Sequence, residues 1–240
     1  HDNLPLYDVI AQSIKKDPEI PANDLEIHRR IRLGNAFLLT SQGTVLLHAG
    51  QEWGRTKQWL APGKPEHKFH EMADASGKPF LHPYFIHDSY DSSDAINKFD
   101  WRKALDEKTF PVNSVTRNYT RGLIGLRRST DAFRLGNRDL VNKNVTLYKS
   151  PEIREKDLVI AYQCRSTDNL IYSVFLNADD KTRELTIKND FSQGEILVDA
   201  EKAGTVAIAN PKGVVLTPDR IILDPLTAVV IRTKASPRKK

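Results

Sequence analysis

The chain has 240 residues, 39% of them apolar and 28% charged, which fits a globular protein able to bury a core and excludes a disordered or fibrous one. No apolar run approaches the about 18 residues of a membrane-spanning helix. The formal net charge is +5, but Arg238, Lys239 and Lys240 supply three of those charges. The rest therefore carries only +2, too little for a nucleic-acid binder. One cysteine, Cys164, excludes an intramolecular disulfide framework and a Cys-based zinc site; in an alternating apolar run it reads as a small buried hydrophobe.

The N-terminus shows neither an initiator methionine nor the basic and apolar regions of a signal peptide, so the expectation is a piece of a longer protein. Asn3 as N-cap, Pro5 in the first turn and Leu6, Ile10 and Ile14 at i, i+4, i+8 predict a helix over 4–16. A second helix is predicted from about 24 to Gly43, with Asn23 and Glu26 as a capping arrangement and Ile27, Ile31, Gly34 and Leu38 as its stripe. Residues 44–48, Thr-Val-Leu-Leu-His, read as a strand buried on both faces, the pattern of a parallel sheet. From 49 to about 113 the periodicity dissolves into Gly, Pro, His and Asp, a loop long enough to be functional. Val115, Tyr119, Leu123 and Leu126 then mark a helix from about Ser114 to 128–134.

Beyond about 147 the apolar period changes from 3.6 to 2. Strands are predicted at 158–164, 170–176, 185–188, 196–198, 214–216, 221–223 and 228–232, separated by turn residues at the spacing of an antiparallel sandwich. The predicted organisation is therefore a first domain over 1–146, an all-β domain over 147–235 and a disordered basic tail at 236–240.

Three strings carry chemistry. His1-Asp2-Asn3-Leu4-Pro5-Leu6-Tyr7-Asp8 resembles the fourth conserved segment of the α-amylase superfamily, glycoside hydrolase family 13. Residues 44–57, ending Ala-Gly-Gln-Glu-Trp-Gly-Arg-Thr-Lys, resemble the eighth barrel strand of debranching amylases. The acidic, amide and aromatic run from Asp88 to Trp101 resembles the long eighth βα loop of type I pullulanases, notably the cell-surface enzymes of Gram-positive bacteria.

The resemblance implies the C-terminal end of a (β/α)8 barrel followed by an antiparallel β-sandwich. It implies an enzyme that hydrolyses α-1,6 branch linkages in pullulan, glycogen or limit dextrins with retention. Asp2 would stabilise the oxocarbenium-like transition state by gripping sugar hydroxyls, and His1 would bind the same sugar. Asp94 and Asn97 would fix neighbouring glucose units. Glu52 and Arg55 would contact substrate as well, although Gln51 and Glu52 closing the barrel rim against Arg55 is an equal alternative. Tyr90 and Trp101 are read as residues that anchor the loop by packing, and Trp53 and Trp59 as packing before sugar stacking.

The nucleophile and the acid/base of this family stand upstream of His1, so the fragment is not expected to be active alone. Its partners would be an α-glucan and the upstream portion, which would hold residues 1–135 in place. The setting would be secreted or wall-anchored in a bacterium. No cofactor motif is present; a structural Ca²⁺ stays open, and the histidines at 67, 70, 82 and 87 lack the spacing of a zinc site. The rival reading is a non-catalytic carbohydrate-binding or adhesion segment built on the sandwich.

Overall fold

The stripe Leu6, Ile10, Ile14 folds as α1 (Leu6–Ile14) in the computed structural model, which describes residues 2–66, 68–187 and 189–235. The chain divides into two compact units, residues 1–31 with 46–117 and residues 32–45 with 118–240. Helices α2 (Pro21–Thr40) and α5 (Pro111–Ser129) contribute residues to both.

In the first unit, Tyr7 and Ala11 of α1 close on Ile27 and Ile31 of α2, with Leu6, Ile10 and Ile14 at the margin of the cluster. Asn3 is not the cap of α1. Pro5 takes that position without a side-chain hydrogen bond, and Asn3 lies at φ 62°, in the left-handed region. Likewise α2 begins at Pro21, whose missing N–H costs nothing in a first turn, and Asn23 lies inside the helix, donating its amide to the Asp17 carbonyl at 2.9 Å.

The run 44–48 is not a strand. Its backbone is irregular and Leu46 is 89% exposed, because no strand among the described residues lies beside it to take up its backbone groups or cover its apolar faces. The segment 49–113, in contrast, is more regular than its composition suggests. β1 (Phe69–Ala73) and β2 (Pro79–Ile86) form an antiparallel hairpin, with Phe69 opposite Ile86 and Glu71 opposite Tyr84, over a core of Met72, Phe80 and Phe85. Its turn is closed by the Asp74 carboxylate, which accepts the Ser76 and Lys78 N–H groups, with Gly77 at φ 87°. Pro79 and Pro83 hide this strand in the sequence; the hairpin tolerates them because, among the described residues, the second edge of β2 is bonded backbone to backbone, to residues 57–59, only at 84–86, beyond both prolines. Two short helices follow, α3 (Asp94–Asn97) and α4 (Trp101–Leu105).

In the second unit, the ends of α2 and α5 are tied by Asn35 Nδ2 donating to Thr120 Oγ1 at 3.0 Å and by the Arg127 guanidinium. That guanidinium donates to the carbonyls of Leu39, Ser41 and Gly43 at 2.9, 2.7 and 2.6 Å, closing the C-terminus of α2. After α6 (Arg138–Asn144) come β3 (Val145–Leu147), β4 (Val159–Arg165), β5 (Leu170–Asn177), β6 (Arg183–Thr186), β7 (Glu195–Val198), β8 (Val214–Leu216), β9 (Arg220–Leu223) and β10 (Thr227–Lys234). They form a five-stranded sheet in the order β3-β4-β5-β10-β7 and a three-stranded sheet in the order β6-β9-β8.

Ala161, Phe175, Ile196, Val229 and Ile231 of the larger sheet meet Leu185, Ile221 and Leu223 of the smaller one in a common core. Residues alternate inward and outward along these strands, which is why the period-2 signal located them. Cys164 is fully buried, as its alternating strand predicts, and burial pushes its thiol up to about 11. Every strand pairing among the described residues is antiparallel, and these residues form no barrel.

Candidate functional site

Residues 2–8, 46–57 and 88–101 of the three chemically suggestive segments belong to the first unit, and hydrogen bonds stitch them together. Asp2 forms an isolated antiparallel bridge with Asp88. Lys57 Nζ donates to the Asn3 carbonyl at 3.0 Å, and Arg55 donates to the Asn97 carbonyl at 3.2 Å. Residues 2–3, 50–57 and 88–97, separated by up to about ninety positions in sequence, therefore meet at one place.

The Gly50–Arg55 turn has a steric cause. Gly50, at φ 97°, and Gly54, at φ 84°, flank a 3-10 turn over Gln51–Trp53. A Cβ on Gly50 would stand 2.5 Å from Arg55 Cβ, and one on Gly54 would stand 2.5 Å from His28 Cε1, so only glycine fits either position. Within the turn the Glu52 carboxylate accepts the Gly50 N–H at 2.9 Å. Arg55 also donates to His48 Nε2 at 3.3 Å, which makes that nitrogen the acceptor and puts the His48 proton on Nδ1. Burial first, then the Arg55 and Lys57 charges, hold His48 below its ordinary range, so it stays neutral.

The turn is anchored from α1. Asp8, with no exposed surface, accepts the Thr56 hydroxyl at 2.5 Å and the Lys57 N–H at 2.8 Å. Burial pushes its carboxyl up to about 7 despite those donors. Composition marks Asp8 only as a helix N-terminal acid; its place beside Tyr7 and Ala11 on the buried face of α1 is the signal that it does more.

The sequence-derived site residues fall as follows. Asp2 is exposed, and its carboxylate has no hydrogen-bond partner among the described residues. His1 lies outside the described residues, as do His67 and the tail 236–240. Asp94 is exposed in the first turn of α3, which the Ser93 hydroxyl caps by accepting the Ala95 N–H. Asn97 commits its amide N–H groups to the carbonyls of Ser89 at 2.7 Å and Ser92 at 2.9 Å, leaving Oδ1 without a partner among the described residues. Glu52 and Arg55 are half-buried.

Asp88, the neighbour of Asp2, accepts Lys68 Nζ at 2.7 Å, and that ammonium holds its carboxyl below the ordinary range. Lys57, buried to 2% exposure, was not singled out from sequence, although it closes the Arg-Thr-Lys string.

One aromatic reading changes. Tyr90 is 80% exposed and does not anchor the loop by burial, whereas Trp101, 67% exposed, packs against Phe99. The loop is held by the polar bonds of Asn97 and Arg55 and by Phe99, whose ring lies 5.4 Å from Trp53 and 4.5 Å from Trp101. Trp53, at 2% exposure, is a packing residue. In the sandwich, all five aromatic side chains, at 148, 162, 172, 175 and 191, are buried or half-buried, which leaves no exposed aromatic platform there for a sugar. No group of three or more His, Cys, Asp or Glu side chains that could hold a metal occurs among the described residues. No helix among them is long and apolar enough to cross a membrane.

Comparison with known proteins, rather than the fold alone, defines the class: the C-terminal segment of a pullulanase. Residues 144–234 match the family model SpuA C-terminal. Pullulanase A of Streptococcus pneumoniae serotype 2 is 50% identical over 246 aligned residues, covering 97% of this chain and 20% of that protein.

The catalytic module of the multi-modular glycogen-degrading pneumococcal virulence factor SpuA, solved with an inhibitor, superposes with a TM-score of 0.92 at 49% identity, covering 98% of this chain and 35% of the other. The Group B Streptococcus pullulanase SAP in complex with maltotetraose superposes at 0.89 with 47% identity, covering 97% and 31%. The chain thus belongs with the C-terminal segments of type I pullulanases, and it spans about a fifth of the length of the curated relatives it matches.

Proposed function

We propose that this chain is the C-terminal part of a retaining α-1,6-glucosidase that debranches pullulan, glycogen or limit dextrins, and that it carries the end of the seventh and the whole eighth βα unit of a (β/α)8 barrel. The observation that supports it best is the convergence of Asp2, the Gly50–Lys57 turn and the Asp88–Asn97 loop on one place. A free, exposed carboxylate on Asp2 can accept two sugar hydroxyls at once, bonds that tighten as the ring flattens toward an oxocarbenium ion. His1 binds the same sugar. Asp94 and the Oδ1 of Asn97 accept hydroxyls of neighbouring glucose units, and Arg55 and Glu52 shape the rim beside them.

The nucleophile and the acid/base belong to the upstream portion, which also covers exposed apolar groups such as Leu46. The maltotetraose complex of the streptococcal relative supports an α-glucan as substrate. The enzyme acts outside the cell, secreted or wall-anchored.

The test is Asp2→Asn in the complete enzyme with pullulan as substrate. Turnover is expected to fall by about 10²–10³-fold with a much smaller change in KM, the mark of an interaction made in the transition state. Turnover close to that of the parent would overturn the assignment.

A further inference from the structure

Lys57 joins three elements around the site. Its N–H donates to Asp8 at 2.8 Å, its carbonyl accepts the Ile86 N–H at 3.0 Å, and its ammonium donates to the Asn3 carbonyl at 3.0 Å. Asp8 and Asn3 stand at the two ends of one short segment, so Lys57 straddles it, with the backbone gripping one end and the side chain the other. Ile86 lies two residues before Asp88, the bridge partner of Asp2. Asp2 is therefore held from both sides by elements that Lys57 joins.

The grip adds to a local preference. Asn3 sits in the left-handed region at φ 62°, which is costly for most residues with a Cβ and which asparagine tolerates better than they do. The carbonyl that Lys57 holds is the one this unusual φ belongs to, so releasing it frees Asn3 to relax toward φ < 0 and swings Asp2 with it. Lys57 is buried to 2% exposure, and burial first, then Arg55, hold its ammonium below the ordinary lysine range against the opposing pull of the Asp8, Asp88 and Asp2 carboxylates.

We propose that Lys57 is a positioning residue for the reaction: its ammonium, by holding the Asn3 carbonyl, sets where the Asp2 carboxylate meets the sugar ring. The inference rests on the function proposed above. It is tested in the complete enzyme with Lys57→Met, Lys57→Arg, Lys57→Met combined with Asn3→Gly, and Asp2→Asn, on pullulan, with kcat expressed per folded molecule from near-ultraviolet circular dichroism.

Lys57→Met is expected to lower kcat by about 100-fold, the scale of a displacement of the order of 1 Å, with KM changed by less than about threefold. Lys57→Arg should restore at least about tenfold of the loss, since a guanidinium can still donate to the carbonyl. Adding Asn3→Gly should also recover about tenfold, because glycine holds a positive φ without a tether. A purely structural lysine would lower the folded fraction and leave kcat per folded molecule unchanged, with no rescue by glycine. That result, alongside an inactive Asp2→Asn, would overturn the role of Lys57 and leave the proposed function standing. An active Asp2→Asn would remove both. Should Lys57→Met fail to accumulate folded, Lys57→Gln replaces it, with a loss of about tenfold expected and unchanged kcat overturning the proposal.

Discussion

Asp8 and Thr56 meet at 2.5 Å, carboxylate to hydroxyl, although 48 positions separate them. The bond ties the first helix to the turn that carries Arg55, with the Asp8 carboxylate shielded from solvent.

That burial makes stability depend on pH. The Asp8 carboxyl is raised from 3.8 to about 7 in the folded chain, so the folded state holds a proton that the unfolded chain has lost. Its contribution is full below about pH 4 and is lost as pH rises to 7. Glu152 has the opposite sign. Bonds from Ser150 and Thr186 lower its carboxyl from 4.5 to about 2, so its contribution is present above pH 4.5 and is lost on acidification toward 2. Thermal unfolding midpoints are expected to be higher at pH 5 than at pH 8. Asp8→Asn should flatten the alkaline limb and Glu152→Gln the acid limb; an unchanged slope in either variant would contradict the assignment.

Two glycines on α5 should respond oppositely to alanine. A Cβ on Gly122 would lie 1.9 Å from the Ala203 carbonyl oxygen, a backbone atom that cannot swing away, whereas Gly125 has nothing within 4 Å. Gly122→Ala should cost about 3 kcal/mol, and Gly125→Ala should gain up to about 1 kcal/mol from helix propensity. Urea unfolding of the two variants beside the parent reads both signs.

Arg127 closes α2 through three carbonyls. Arg127→Met keeps the stem and removes every donor, leaving the buried Leu39 carbonyl without this partner while those of Ser41 and Gly43 can turn to solvent. A loss of about 2–3 kcal/mol is expected, and hydrogen exchange should quicken over 36–43 before it does in the sandwich.

Leu46, at 89% exposure, separates a free surface from a covered one. Leu46→Asp should change the stability of this chain by no more than about 0.5 kcal/mol, as for an ordinary surface site. In the complete enzyme it should lower the unfolding midpoint by several degrees if the upstream portion covers the residue. Equal insensitivity in both would show that nothing packs there.

The sequence by itself determined what repeats along the chain. α1, α2 and α5 follow from apolar residues at helical spacing, and seven strands of the sandwich follow from alternation, because a residue's side of an element depends only on its neighbours. It also singled out the strings proposed to carry chemistry, since Asp2, the Gly50–Lys57 turn and Asp88–Asn97 are legible as local motifs.

What tertiary structure decided is everything that depends on a distant partner. Residues 44–48 have the composition of a buried strand but no strand to pair with among the described residues, so they remain irregular, while Pro79 and Pro83 sit in a real strand because β1 pairs with it. Asp8 and Lys57 look ordinary in sequence. Only the fold shields the carboxylate from solvent under Thr56 and lays the ammonium on the carbonyl of Asn3, because burial and hydrogen bonding are properties of places, and a place is made by segments that the chain order keeps apart.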